Sequence, residues 1–106
     1  MTVSEITHKE ISDYIRLVEV SAEDEKFLTN LIKIAIEFIK SYTGLTAEEV
    51  DKHEDFIIVV YILCQNMYDN RTLYVEKGNL NKVVETILGM HCVNFLWLML
   101  ENIIKK

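Results

Sequence analysis

Residues Phe56–Cys64 read FIIVVYILC, nine apolar residues in succession, and this stretch decides the fold. Its run of β-branched residues, Ile57–Val60, makes a buried strand one interpretation, because periodicity alone cannot classify a short apolar segment. The apolar pattern continues as far as Tyr68, however, and is then much longer than a typical strand of about five or six residues. We therefore predict a central helix that is buried on almost every side.

Length and composition favour a small helical domain. The chain has 106 residues, of which 50% are apolar and 26% are charged, a composition typical of one globular domain. It contains no proline and only three glycines, so few residues interrupt helices. We predict an all-α fold: a small bundle of four to five helices around the central apolar helix, forming a single domain over residues 1–106.

Capping signals and apolar spacing place the surrounding helices. A Ser or Thr followed three residues later by an acid is typical of a helix start, and a glycine that follows an apolar row is typical of a helix end. These signals predict four segments besides the central helix: Thr7–Leu17, a long helix that enters at Ser21 and ends at Gly44, a short turn Ala47–Lys52, and Leu80–Leu88 ended by Gly89.

Two segments of the second half differ from this helical pattern. Residues 72–79 combine a short β-prone piece, Thr72–Val75, with turn residues, so we expect an irregular or extended arm. Residues 95–106 form an unusually apolar C-terminal tail. The longest fully apolar run has nine residues, against roughly 20 for a membrane span, and the first twenty residues lack the pattern of a secretory signal. We expect no membrane association and a cytosolic protein.

The sequence lacks the residue patterns of common catalytic and cofactor sites. It contains no phosphate-binding glycine loop, nucleophile elbow or zinc-type spacing of Cys and His, so we expect no enzyme activity, cofactor or metal. His91 and Cys92 are adjacent, but sequence neighbours rarely face one metal ion. His53 is interpreted as a junction residue rather than a ligand or base. Cys64 and Cys92 are interpreted as packing residues.

Charge is distributed unevenly. Residues 1–55 contain 13 acids and 6 bases, whereas residues 56–106 contain 4 acids and 5 bases, which together give the net charge of −6. Proteins that bind nucleic acid tightly neutralise phosphates with clustered Lys and Arg, and here only Lys105 and Lys106 form such a pair. Tight direct binding of DNA is therefore not expected.

A resemblance to a known family depends on the order of several short motifs. The long acidic-entry helix Phe27–Tyr42 ends in Tyr42-Thr43-Gly44, the apolar helix ends in Tyr68-Asp69-Asn70-Arg71, and Ile87-Leu88-Gly89-Met90-His91 follows. In this order and spacing, from about Ile11 to Phe95, the chain resembles the phage head-tail connector (adaptor) family of phages and prophages. After Asn94 the chain departs from the family pattern, because it continues with apolar instead of polar residues.

The resemblance implies a structural function in virion assembly. It implies a subunit that forms a ring with copies of itself, joins the portal protein at the head vertex to a tail-completion protein, and leaves a channel for DNA. It also implies a location in the host bacterial cytoplasm during assembly and then at the head-tail junction of the virion. An acidic channel lining would repel phosphate, and Glu23, Asp24 and Glu25 are the candidate channel-facing acids.

The candidate assembly surface consists of residues that the predicted core leaves outside. They lie in the arm and in the apolar tail: Arg71, Thr72, Tyr74, Val75, Phe95 and Trp97. For Arg71, a clamp on a partner's carboxylate and an ordinary charged helix end are equally open interpretations.

The first alternative function is a small helical regulator or antitoxin-like module that binds a protein partner through the apolar tail, and a stable monomer or dimer would favour it. The second is an enzyme fragment or metal-binding domain, which metal analysis would identify.

Overall fold

The structure, a computed structural model, describes residues 2–17, 19–75, 78 and 80–91. A 3-10 turn, Val3–Glu5, precedes five α-helices: α1 (His8–Ile15), α2 (Ala22–Thr43), α3 (Ala47–Asp51), α4 (Asp55–Asn70) and α5 (Lys82–Met90). No strand occurs in the described ranges. The predicted all-α class is therefore confirmed, and the apolar run Phe56–Cys64 is helical rather than extended.

The central position of α4 is also confirmed, because α1, α2, α5 and the 3-10 turn all contact it. Its buried residues recur three and four positions apart, which is the spacing of one helix face. They are Phe56, Val59, Val60, Leu63, Cys64 and Met67. Each is at most 2% exposed, so this face forms the centre of the core.

The expectation that α4 is buried on almost every side was too strong. Ile58 is 38% exposed, and Ile57 and Ile62 are only partly buried. Helices α1, α2 and α5 cover one broad face of α4, and in the described part of the chain the opposite side remains accessible to water. The described core therefore buries only part of the apolar surface of Phe56–Cys64.

Helix α2 packs on α4 through a stripe of apolar residues at helical spacing. Its fully or nearly buried apolar residues are Leu28, Leu31, Ile32, Ala35 and Ile39. The aromatic residues of α2 lie at the edge of this stripe and are half-buried, with the Phe27 ring centroid 6.0 Å from that of Tyr68. Large rings at the margin of the contact close the seam between the two helices.

The helix starts predicted from Thr7, Ser21 and Thr46 are confirmed, whereas α5 begins at Lys82, two residues after the predicted Leu80. At the start of α2, the Ser21 hydroxyl accepts a hydrogen bond from the Asp24 backbone N–H at 3.1 Å, and the Asp24 carboxylate accepts one from the Ser21 N–H at 3.2 Å. Thr46 with Glu49 forms the same reciprocal capping box. At Thr7 with Glu10, and at Thr2 with Glu5, which was not predicted, the glutamate carboxylate accepts from both the N–H and the hydroxyl of the threonine. Each box satisfies backbone N–H groups that the helix leaves unpaired.

Of the two predicted glycine stops, one is confirmed and one is wrong. Gly44 adopts the left-handed conformation, with φ of 79°, and its N–H donates to the Lys40 carbonyl at 2.8 Å. Helix α5 instead continues past Gly89 to Met90, and Gly89 is not left-handed. Without a positive φ, Gly89 does not form the left-handed glycine cap that was predicted, and α5 continues one residue beyond it.

The capping boxes make stability depend on pH. Hydrogen bonds from the backbone N–H and hydroxyl groups of Thr2 and Thr46 lower the pKa values of Glu5 and Glu49 below the usual 4.5. The Thr7 hydroxyl, with backbone N–H groups, lowers the pKa of Glu10 in the same way. A lowered folded-state pKa stabilises the fold above the unfolded-state value, and this contribution is lost as the pH falls through the folded-state value.

We expect the melting temperature to fall between pH 7 and about pH 3, and to fall less in a triple variant with Glu5→Gln, Glu10→Gln and Glu49→Gln. Glutamine keeps the capping geometry but does not titrate. Circular dichroism melts at both pH values measure the difference. The matched control replaces three acids outside the capping boxes, Glu23, Glu48 and Glu85, by glutamine. If the fall in melting temperature on acidification is reduced equally in the control and in the capping variant, the capping boxes are not the cause of the pH dependence.

Candidate functional site

The segment that follows α4 contains the described residues of the candidate assembly surface. Thr72 to Val75 is irregular, as expected for the arm. Tyr74 is 56% exposed, and Leu73, which the sequence interpretation did not single out, is 60% exposed. Val75 instead is partly buried against the core. The exposed apolar part of the arm is therefore Leu73 with Tyr74, a pair that we call the arm surface.

The direction of the arm is set by the way α4 ends. The Thr72 N–H donates to the Met67 carbonyl at 3.0 Å and the Arg71 N–H donates to the Tyr68 carbonyl at 3.3 Å. This pair of bonds is the Schellman motif, which requires a left-handed residue at its centre. Arg71 occupies that position with φ of 54°. The chain therefore reverses at Arg71 and turns back along α4.

A cavity of about 380 Å³ lies between the arm and α4. Leu63 and Met67 belong to its apolar lining, and the amides of Asn66 and Asn70 to its polar lining. Thr72 and Tyr74 line it from the arm. Its volume is at the lower end of the range for ligand pockets, about 300–1,000 Å³, and it offers both apolar contact and hydrogen-bonding groups to an inserted side chain or small ligand.

Arg71 has a contact within the chain that the sequence did not reveal. Its guanidinium carbon lies 4.6 Å from the centroid of the Tyr68 ring, within the range of a cation–π interaction. Arg71 is nevertheless exposed. The structure thus supplies a local reason for the arginine and also leaves its charged end accessible to a partner.

The three candidate channel acids differ from one another. Asp24 caps α2 through the bonds described above, so helix capping explains its presence. Glu23 and Glu25 are exposed in the first turn of the same helix, where the positive end of the helix dipole favours negative charge. Only these two remain available for a channel lining. Phe95 and Trp97 lie outside the described residues.

A cluster that the sequence interpretation missed joins His53, Asp55 and His91. One ligand atom from each of the three side chains lies within 4.8 Å of the other two. His53 lies in the connection between α3 and α4, Asp55 begins α4, and His91 directly follows α5. The spacing His53-x-Asp55 was visible in the sequence, but only the packing of α5 on α4 brings the histidine 36 residues later to the same place.

Cys64 has a structural role rather than a chemical one. Its side chain is fully buried in the α4 core, and burial raises the pKa of the thiol to about 12. The thiolate, which is the reactive form, is therefore scarce at neutral pH. The interpretation of Cys64 as a packing residue is confirmed, whereas Cys92 lies outside the described residues.

Among the described helices, none is long and apolar enough to span a membrane.

Arg16 and Arg71 both adopt the left-handed conformation. Glycine substitutions at the two positions can therefore be compared to measure how much the contact between Arg71 and Tyr68 stabilises the fold. Arg16 ends α1 with φ of 67° in a second Schellman motif, in which the Leu17 N–H donates to the Ser12 carbonyl. Glycine tolerates this conformation better, so Arg16→Gly should raise the free energy of unfolding by about 0.5–1 kcal/mol. Arg71→Gly should raise it less, because it also removes a cation–π contact of about 0.5–1 kcal/mol. Urea unfolding measures both variants, and an equal gain would mean that the Tyr68 contact does not stabilise the fold.

Comparisons with models of protein families, with curated proteins and with solved structures find no match to this chain. Its function must therefore be inferred from its own residues, and the family resemblance remains an interpretation of sequence motifs.

Proposed function

We propose that this protein is a structural subunit of a ring, of the kind that joins the portal vertex of a phage head to the tail. The observation that carries the proposal is the presence of exposed apolar residues on two different elements. The first set is the arm surface, Leu73 with Tyr74. The second is on α5, where Val83 is 50% exposed and Met90 is 66% exposed. We call Val83 with Met90 the α5 surface.

Two distinct apolar surfaces suit a ring better than a simple dimer. A two-fold dimer needs one surface that meets its own copy, whereas a ring needs two different surfaces, one of which meets the other on the next subunit. Val83 and Met90 are seven residues apart, two helical turns, and therefore share one face of α5. Exposed apolar groups that form contiguous patches are typical of interaction sites. Contact between the arm surface of one copy and the α5 surface of the next would generate a ring when the rotation between neighbouring copies closes.

The family resemblance gives this ring its biological setting. In that setting the partners are copies of the chain itself, the portal protein and a tail-completion protein, and DNA passes through the channel without specific binding. Assembly would take place in the host bacterial cytoplasm and the product would remain at the head-tail junction. A subunit with this function needs neither a catalytic group nor a cofactor, so the proposal is for a protein that is not an enzyme.

The quoted motifs also have local structural roles. Thr43 of Tyr42-Thr43-Gly44 is buried, where its hydroxyl donates to the Ile39 carbonyl at 2.7 Å and accepts from the Leu45 N–H at 3.2 Å. Arg71 of the second motif sits at the Schellman turn of α4. Both motifs therefore specify where a helix stops and where the following segment goes.

The assembly contact can be tested with two variants that each lose one surface. Leu73→Ser with Tyr74→Ser removes the arm surface, and Val83→Ser with Met90→Ser removes the α5 surface. We expect the unaltered chain to form rings, visible by electron microscopy and by light scattering after size exclusion. Each variant alone should be monomeric, because every contact in a ring uses both surfaces. An equimolar mixture should form heterodimers, since each variant keeps the surface that the other has lost.

The matched control replaces exposed apolar residues elsewhere, Tyr14→Ser with Ile58→Ser, whose side chains are 37% and 38% exposed. This control should still form rings. A loss of assembly equal to that of the two test variants would indicate non-specific association. An unaltered chain that remains a monomer or a simple dimer at the highest attainable concentration would contradict the proposed self-assembly and favour the regulator alternative.

The channel acids give a second prediction, for the assembled rings. Glu23→Lys with Glu25→Lys should make rings retain double-stranded DNA at low salt, because lysines in the channel attract phosphates, and retention should weaken as salt is raised. Asp24 stays unchanged, so that the cap of α2 is preserved. Fluorescence anisotropy of labelled DNA measures the retention.

The control for this charge reversal is Glu48→Lys with Glu85→Lys, an equal change of net charge at exposed residues on α3 and α5. If both variants retain DNA equally, the effect comes from net charge alone and Glu23 and Glu25 do not line a channel.

A further inference from the structure

We propose that His53, Asp55 and His91 form a binding site for one divalent transition-metal ion of the zinc type. The closest pair of polar atoms is His91 Nε2 and Asp55 Oδ2, which are 2.7 Å apart. The imidazole rings of His53 and His91 lie against each other, with centroids 4.1 Å apart and an angle of 34° between their planes. Two imidazoles and one carboxylate therefore converge at one place.

The donor types select the class of ion. Imidazole nitrogen and carboxylate oxygen suit zinc and its first-row neighbours, whereas calcium and magnesium prefer shells made of oxygen. Three protein ligands with one open position form a recurring arrangement around zinc, and water completes the tetrahedron. The set of two histidines and one aspartate fits this arrangement without a further residue.

The distances are compatible with a small ion. Zinc bonds to nitrogen and oxygen of about 2.0–2.2 Å place the ligand atoms of a tetrahedral site about 3.4 Å apart. The ligand atoms here lie within 4.8 Å of one another, and the closest pair is at 2.7 Å, so the required separation falls inside the observed range. An ion bound by all three would require the His91–Asp55 pair to move apart and the His53 nitrogen to come closer to both.

The surroundings support binding in two ways. The ring of Phe56, which is completely buried, meets both imidazoles edge to face, with centroids 5.6 Å from His53 and 5.0 Å from His91. This apolar ring holds the imidazoles in place and excludes water from one side. On the other side the site is open, since the side chains of His91 and Asp55 are 20% and 36% exposed. An ion can therefore enter and keep a water ligand.

A histidine–aspartate ion pair alone does not account for the cluster. His91 and Asp55 would form that pair without His53, whose ring nevertheless lies against His91 and places a ligand atom within 4.8 Å of both partners. A bound ion would use all three side chains and would link the α3–α4 connection, the start of α4 and the end of α5. This inference is independent of ring formation and stands or fails separately from the proposed function.

The experiment uses the full chain after treatment with a chelator. Titration with zinc chloride, followed by calorimetry, should show one ion bound per chain. His53→Gln, Asp55→Asn and His91→Gln should each weaken binding by at least about tenfold, because loss of even an outer-shell partner of a zinc site costs roughly 10- to 100-fold in affinity. His8→Gln is the matched control, since His8 is the remaining histidine of the chain and lies outside the cluster. It should bind as the unaltered chain does.

A second measurement does not depend on the folding of variants. Long-range nitrogen–proton spectra of the unaltered chain should show zinc-dependent shifts of the imidazole nitrogens of His53 and His91, and none for His8. The proposal is overturned if the unaltered chain binds no zinc, if folded His53→Gln binds as tightly as the unaltered chain, or if His8 shifts together with the other two.

Discussion

The burial of one face of α4 is the constraint on which the rest of the structure depends. Six of its side chains are withdrawn from water, and burial of each large apolar side chain contributes about 1.5–3 kcal/mol. Domains have net stabilities of only about 5–15 kcal/mol, so the loss of even one or two of these buried side chains would remove a large fraction of the net stability. Helices α1, α2 and α5 are positioned where they cover it. The opposite side of α4, around Ile58, receives no such cover from the described residues.

The ends of the helices are determined locally, in contrast to their packing. Ser21 with Asp24 begins α2 and Gly44 ends it through hydrogen bonds within a few residues. Arg71 ends α4 in the same local manner, although a left-handed arginine is less favourable than a glycine. Because local signals set where each helix stops, the packing against α4 determines only how the helices are arranged in the bundle. Agreement between these two levels is what makes a small sequence specify one fold.

Much of the fold could be predicted from the sequence, since its signals are short-range. The capping boxes, the glycine at the end of α2 and the helical length of the segment around Phe56 lie within single windows of the chain. The prediction failed at Gly89, where a glycine residue is compatible with either a stop or a helix interior. It also overestimated the burial of α4, because composition does not reveal how many neighbours a helix has.

The candidate sites also differ in whether the sequence alone could predict them. The arm was predictable because turn residues and β-prone residues mark it, but the sequence did not distinguish exposed Leu73 from partly buried Val75. The histidine cluster was not predictable, since His53 and His91 meet only after α5 has packed beside α4. Sites built from one segment can be found by reading a sequence, whereas sites assembled by packing require the three-dimensional structure.

The contact between His91 and Asp55 affects how much sequence variation the loop between α4 and α5 can tolerate. It fixes the far end of α5 to the first turn of α4, while Val84 and Leu88 fix the middle of α5 in the core. The loop between the two helices therefore does not position α5 alone, although its Val75 and Leu80 also pack against the core. Insertions, deletions or substitutions in that loop could alter which partner is recognised while the scaffold stays intact, and recognition and folding could then evolve independently.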